Sequence, residues 1–584
     1  MLKKFITLVA LTITTSIFIQ AQAASLPLQN LFESDWQWML SHYPENATTL
    51  GDNRYNHQLT NTTLAAARVA NKHRQDMLKE LLKIDRATLS EQEQISYDQF
   101  LFEKNSAIET AGFYPYTVQP ISQIDGIQIS FPDLVTQTPF NSAYDYHSYL
   151  ARLHGLPAYI DGLIEQMQQG MKTGWVAPKA VIAPVPGQLR ELRLHLDQSA
   201  LALPFGRIPA NVPKPGVFAQ LGKKELHERV APALLKLENF ITKEYLPACR
   251  DSIAASALPG GMPYYQFLIR TQTNTDLSPQ QIHDLGMAEV ARIHLEMQKI
   301  IDQVGFKGSF ADFSTFLNTD ARFHYTSSED LVNGFAAIIA RVYLVLPTMF
   351  AHLPQAQAEV RAMPLLGSEQ QPSAMYQPGS DDGKVAGYFA VNVSNLETRP
   401  TWEMETLTLH EAVPGHHLQI SIAKEATALP KFRRNGSYTA FEEGWALYAE
   451  SLGDDMGFYK DPYAKFGNLD DEMLRAARLV VDTGIHAFGW TREQAIAYMN
   501  ANTSNPPSDN IVEVDRYIAW PAQALGYKIG QLKIRELRNR AAAALGARFD
   551  VRAFHNAVLD NGPLPLTVLE TQIDAWIAQQ LAAR

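Results

Sequence analysis

The strongest constraint in the chain is a cluster of metal-type ligands interrupted by a helix breaker. Between Trp402 and Glu450 lie HEAVPGHH, with His410, Glu411, His416 and His417, and EEGWALYAE, with Glu442, Glu443 and Glu450. A zinc hydrolase site needs three N or O ligands, an open position for water, and a carboxylate to take the water's proton. In H-E-x-x-H, two histidines supply ligands from one helix face and the Glu acts as base. Here Pro414 occupies the position of the second His. On an unbroken helix His417 returns to the face of His410 but sits about 10 Å along the axis, and His416 is rotated off that face. Pro414 interrupts the hydrogen-bond ladder and Gly415 tolerates unwound backbone. A bulge at these residues brings His416 to the place of an ordinary i+4 His. His410 and His416 are therefore the expected ligands, with His417 the alternative, and Glu411 is the expected general base.

HEAVPGHH followed by EEGWALYAE resembles the bacterial family called domain of unknown function 885. That family is grouped with Glu-liganded zinc peptidases such as the thimet oligopeptidase and Thermus-type carboxypeptidase families. The likeness is close over residues 376 to 566 and loose over most of the remaining chain. The longer gap between the histidines departs from the relatives' pattern. In those relatives a Glu that opens a second helix is the third ligand, and another Glu stands seven residues later. The resemblance thus implies Glu443 as ligand and Glu450 as its companion, with one Zn²⁺ per chain. Glu442 is the rival, because helix neighbours point about 100° apart and only one can face the metal. Glu450 shares the face of Glu443 and can accept a hydrogen bond from a ligand imidazole.

The 584 residues are 46% hydrophobic and 19% charged, ordinary for a chain that buries a sizeable core, and the net charge of −11 argues against nucleic-acid binding. Met1 to Ala23 reads as a signal peptide: Lys3 and Lys4, an apolar run from Phe5 to Ile19, then Ala21-Gln22-Ala23. No Cys follows the apolar run, so no lipid anchor is expected. The protein is expected to be periplasmic or secreted, without stable membrane insertion after cleavage. The single cysteine, Cys249, has no partner for an internal disulfide.

The rest reads as mainly α: one large helical, zinc-peptidase-like catalytic domain over 24–584, with a small β-sheet beside the active-site helix and a deep cleft. An N-terminal helical part is expected over about 24–270 and the metal-site part over about 271–584. Ser90-x-x-Glu93 and Ser278-Pro279-Gln280-Gln281 read as helix starts. Residues 113–145 read more as loop than element. Short strands are expected at 357–363, 373–376 and 387–394, with a turn at Gly379 to Gly383. In the resembled peptidases a strand placed like 387–394, which here carries Asn392, borders the cleft and pairs with substrate. Plain hairpin packing is the alternative.

Arg478, Asp482 and His486 share one helix face, either orienting an imidazole and binding a substrate carboxylate or forming a structural ladder. In the related peptidases a late-helix Tyr or His stabilises the oxyanion. Tyr527 is the choice here and Tyr517 the second. Arg516 is a candidate for a peptide's terminal carboxylate. The expected activity is hydrolysis of short peptides, implied by the resemblance. The alternatives are a zinc amidase acting on cell-wall peptide and a non-catalytic exported protein that binds metal or peptide.

Overall fold

The computed structural model describes residues 26–114, 119–363, 373–379 and 386–583. The expected signal peptide and most of the Gly379–Gly383 turn lie outside the described residues. Contacts divide the chain into two compact units: residues up to Arg250 with Ala428–Arg433, and Asp251–Thr427 with Arg434–Arg584. The division falls before residue 270 because helix Gly261–Thr273 packs Tyr265 and Ile269 against Ile282, Leu479 and Leu525 of the second unit.

The first unit is helical. Ser90 and Glu93 close a reciprocal capping box at the start of Glu91–Phe113. The loop expected over 113–145 is corrected by a helix at Ile127–Gln137, which accommodates Pro132 in its interior. Ile127, Phe131, Leu134 and Val135 are buried there, and apolar burial offsets the one backbone bond that Pro132 cannot make.

The second unit is mainly α around one small sheet. Its positioning elements are α1 (Pro279–Gln303), α2 (Ser328–Met349), β1 (Glu359–Ala362), β2 (Ala374–Gln377), β3 (Tyr388–Val391), α3 (Met404–Glu411), α4 (His416–Glu425), α5 (Thr439–Ser451), α6 (Pro462–His486), α7 (Pro507–Ala519), α8 (Leu525–Leu545) and α9 (Val551–Leu559). Ser278 and Gln281 form the expected capping box on α1. The sheet order is β1-β3-β2, with β1 parallel and β2 antiparallel to β3. The expected strand over 387–394 is therefore central, flanked on both sides, and offers no edge to a substrate. Asn392, just beyond it, is buried, and its Oδ1 accepts from Ser394 N and Oγ at 3.1 and 2.6 Å. Its side chain holds the chain's exit from the sheet.

Helix α6 is buried nearly all round, as a helix with no solvent face must be. Its polar groups consequently need partners from other elements. Glu472 accepts from Lys528 Nζ of α8 at 2.7 Å, and the same Nζ reaches Glu289 of α1 at 2.8 Å. One fully buried ammonium thus ties three helices together.

Helices α5 and α8 cross at small residues spaced by four: Ala440 and Gly444 on one, Gly526 and Gly530 on the other. A Cβ on Gly530 would run into the Ala440 carbonyl oxygen. This close crossing fixes Tyr527 on α8 relative to Glu443 on α5.

Candidate metal centre

Helix α3 ends at Glu411, and α4 begins at His416. Between them the backbone leaves the helical region at Ala412 (φ −99°, ψ −101°) and Gly415 (φ −77°, ψ −129°). His417 N–H donates to the Ala412 carbonyl at 3.1 Å, an i to i+5 bond that closes the bulge. Gly415 is required by close approach, since a Cβ there would strike the His410 carbonyl oxygen. Trp445 Nε1 of α5 donates to the Pro414 carbonyl at 2.9 Å and holds the bulge from the far side.

The bulge brings His410 and His416 together, with ring centroids 4.9 Å apart and planes at 87°. Their Nε2 atoms lie 3.6 and 3.4 Å from the same Glu443 Oε2. Two ligands at about 2.0–2.1 Å around a tetrahedral ion stand roughly 3.4 Å apart, so this donor set fits zinc. His410 Nδ1 faces Glu450 Oε1 at 2.7 Å, and Thr406 Oγ1 donates to Glu450 Oε2 at 3.2 Å. The carboxylate therefore accepts a hydrogen bond from Nδ1–H, the tautomer that leaves the Nε2 lone pair for a metal. Burial opposes charge on His410, but the bonds with Glu443 and Glu450 outweigh it and raise the imidazole to about 10. Burial alone would raise the Glu443 carboxyl, and the two imidazoles reverse this and hold it well below its ordinary value. A dication would displace these protons.

A second carboxylate, Glu411, has an oxygen that lies with the His410 and His416 nitrogens inside a 4.8 Å group. Glu443 is the better placed of the two as a candidate ligand, because one of its oxygens faces both Nε2 atoms at ligand-to-ligand spacing. Glu411 instead accepts the Tyr376 N–H of β2 at 2.8 Å. The antiparallel ladder explains that bond. Asn392 N–H pairs with the Ser373 carbonyl, and alternation along β2 turns the Tyr376 N–H outward, away from β3. Glu442 points elsewhere, accepting from Ser437 Oγ at 3.0 Å, and burial pushes its carboxyl up to about 7.

His417 is fully buried. Its Nδ1 meets the Tyr376 hydroxyl and its Nε2 the Ala356 carbonyl, both at 3.2 Å. Both ring nitrogens are engaged away from the Glu443 oxygen, which leaves His416 as the second imidazole of the centre.

Asp482 accepts from the Tyr265 hydroxyl at 2.6 Å and the Ala522 N–H at 3.1 Å. His486 accepts the Ala255 N–H on Nδ1 at 3.0 Å and donates from Nε2 to the Tyr517 carbonyl at 3.0 Å. These partners come from other elements, so the shared face is neither an intrahelical ladder nor an imidazole-orienting pair. The Tyr517 hydroxyl donates to Glu513 Oε2 at 2.6 Å and accepts from Arg478 Nε at 3.1 Å. Tyr527 is buried and lies in the field of Glu443, which together with burial raises its phenol. Of the two tyrosines, it is the one beside the centre. Arg516 donates to Gln523 Oε1 at 3.0 Å and Glu513 Oε1 at 3.4 Å.

Tyr376, Trp445 and Glu513 join the site without being expected from the sequence. Trp445, within EEGWALYAE, was open to inspection as the large donor facing a segment that Pro414 leaves unladdered. Nothing local marks Tyr376 or Glu513.

Fold and centre together define a mainly α protein with a candidate two-His, one-Glu metal site. The chain belongs to the family of bacterial proteins of unknown function DUF885, matched over residues 44–573. It is similar to the crystal structure of a candidate lipoprotein from Colwellia psychrerythraea, at 29% identity and a TM-score of 0.89, covering 95% of this chain and 99% of that one. A candidate lipoprotein of unknown function from Shewanella oneidensis shares the fold at 19% identity and a TM-score of 0.71, covering 93% and 98%. No curated protein matches the chain significantly.

Proposed function

We propose that the protein is an exported zinc-dependent peptidase acting on short peptides. The carrying observation is the convergence of His410 Nε2 and His416 Nε2 on one Glu443 oxygen, with Glu450 fixing the His410 tautomer. Export is supported by the leader-like first 23 residues and by the candidate lipoproteins among the structural relatives.

His410, His416 and Glu443 would hold the ion. Zinc bound there supplies Lewis acidity toward water and a peptide carbonyl. Glu411 takes the proton of the attacking water and returns it to the leaving amine. The Tyr376 N–H steadies its carboxylate for that exchange. Tyr527 donates toward the oxyanion, and its raised phenol stays protonated at neutral pH. An extended substrate lies along the edge of β2 that no described strand covers, beside Glu411.

Glu411→Gln tests the assignment. The variant is expected to keep one zinc per chain and to lose at least about a hundredfold of peptide hydrolysis, read by mass spectrometry of a peptide library. Undiminished hydrolysis would remove Glu411 as base. A wild type that cuts cross-linked wall material but no free peptide would make the protein an amidase instead.

A further inference from the structure

Beside the Tyr527 ring the second unit buries more positive charge than it neutralises. Arg478 of α6 is 4% exposed, with Nη2 on Glu513 Oε2 at 2.8 Å and Nε on the Tyr517 hydroxyl at 3.1 Å. Its guanidinium stands 4.4 Å from the Tyr527 ring centroid, and that of Arg516 stands 5.7 Å from it. Both guanidiniums lean on the single carboxylate of Glu513. Of the other charged groups nearby, Glu443 is turned to the His410 and His416 imidazoles. Arg475 is paired with Asp471. Asp482 lies in the field of Arg516, but its hydrogen bonds go to Tyr265 and Ala522.

Two buried guanidinium atoms, Arg478 Nη1 and Arg516 Nε, have no hydrogen-bond partner among the described residues. Buried donors are ordinarily satisfied, and buried charges ordinarily paired. Two arginines with spare donors and one uncompensated positive charge match a carboxylate, which accepts such donors in a fork. Tyr527 joins this cluster to the centre, because its phenol lies in the fields of Glu443, Arg516, Arg478 and Glu513 together.

We propose that Arg478 and Arg516 receive the free α-carboxylate of the substrate, so that the enzyme grips peptides by the C-terminal end and cuts close to it. This deepens the peptidase assignment above and rests on it. The substrate class becomes short peptides with a free C-terminus, and internal bonds of long or C-terminally blocked chains are excluded. Glu513 and Tyr517 act as positioning residues that hold the Arg478 fork.

The test uses the mature full chain carrying Glu411→Gln and loaded with zinc, so that binding is read without turnover. An N-acetylated mixed-sequence tripeptide pool, prepared once as free acid and once as C-terminal amide, is equilibrated against it, and retained peptides are counted by mass spectrometry. The free acids are expected to be retained at least about tenfold over the amides, the scale of a charge-assisted hydrogen bond. Adding Arg516→Gln, on the more exposed of the two arginines, is expected to erase that preference. Equal retention, preference for the amides, or no retention of either pool would overturn the proposal. Digestion by the wild type separates the two assignments. Cleavage of acids and amides alike keeps the peptidase and removes the pocket, whereas acid-selective retention without any wild-type cleavage keeps the pocket and removes the peptidase.

Discussion

Several histidines crowd the second unit, and what separates them chemically is which group holds each ring nitrogen. His417, His486 and His555 have both nitrogens engaged by backbone or hydroxyl groups. His410 has one nitrogen on Glu450 and turns the other, with that of His416, to the Glu443 oxygen. Motif spacing supplied the candidates but could not supply these partners. His416 and His417 are adjacent, and only the path of the Ala412–Gly415 backbone decides between them. His555 carries a pH prediction. Burial dominates and depresses its folded pKa from 6.5 to about 4, while Met349 and Tyr448 suit the neutral ring. A depressed pKa means stability is complete above about 6.5 and is lost as pH falls through 4. The loss is about 3 kcal/mol at the low end, from roughly 1.4 kcal/mol per unit. Thermal midpoints from pH 7 to 4 should fall less steeply for His555→Gln than for the wild type, and parallel curves would contradict this.

At the scale of elements, the helices were the legible part. Capping boxes at Ser90 and Ser278 are local chemistry and appear where the sequence puts them. The helix around Pro132 was hidden because its breaker is visible and its burial is not. Strand β3 was recognisable from its alternation, which assigns faces but not neighbours, so its central place between β1 and β2 was not. Likewise, the spacing of Gly526 and Gly530 against Ala440 and Gly444 becomes meaningful only when α5 and α8 are known to cross. Gly530→Ala should force that crossing apart, because the obstacle is the backbone carbonyl of Ala440. The expected cost is about 1–3 kcal/mol, together with weaker zinc binding as Glu443 moves. Unchanged denaturation midpoint and zinc affinity would show that the crossing is looser than described.

For the whole molecule, the metal is expected to act as a stabilising ligand of the second unit. A ligand that binds only the folded state stabilises it by about 2.7 kcal/mol when free ligand is roughly 100 times its Kd. Zinc should therefore raise the thermal midpoint of the metal-stripped wild type by several degrees and leave Glu443→Gln unmoved, as read by calorimetry with and without zinc. The most direct test of the centre is zinc per chain, measured by elemental mass spectrometry on the purified wild type, Glu443→Gln and His417→Gln. The expected values are about one, near zero and about one, because Glu443 faces both imidazoles while His417 is committed to Tyr376 and Ala356. Full zinc in Glu443→Gln, or a wild type that takes up none when zinc is supplied, would contradict the metal centre.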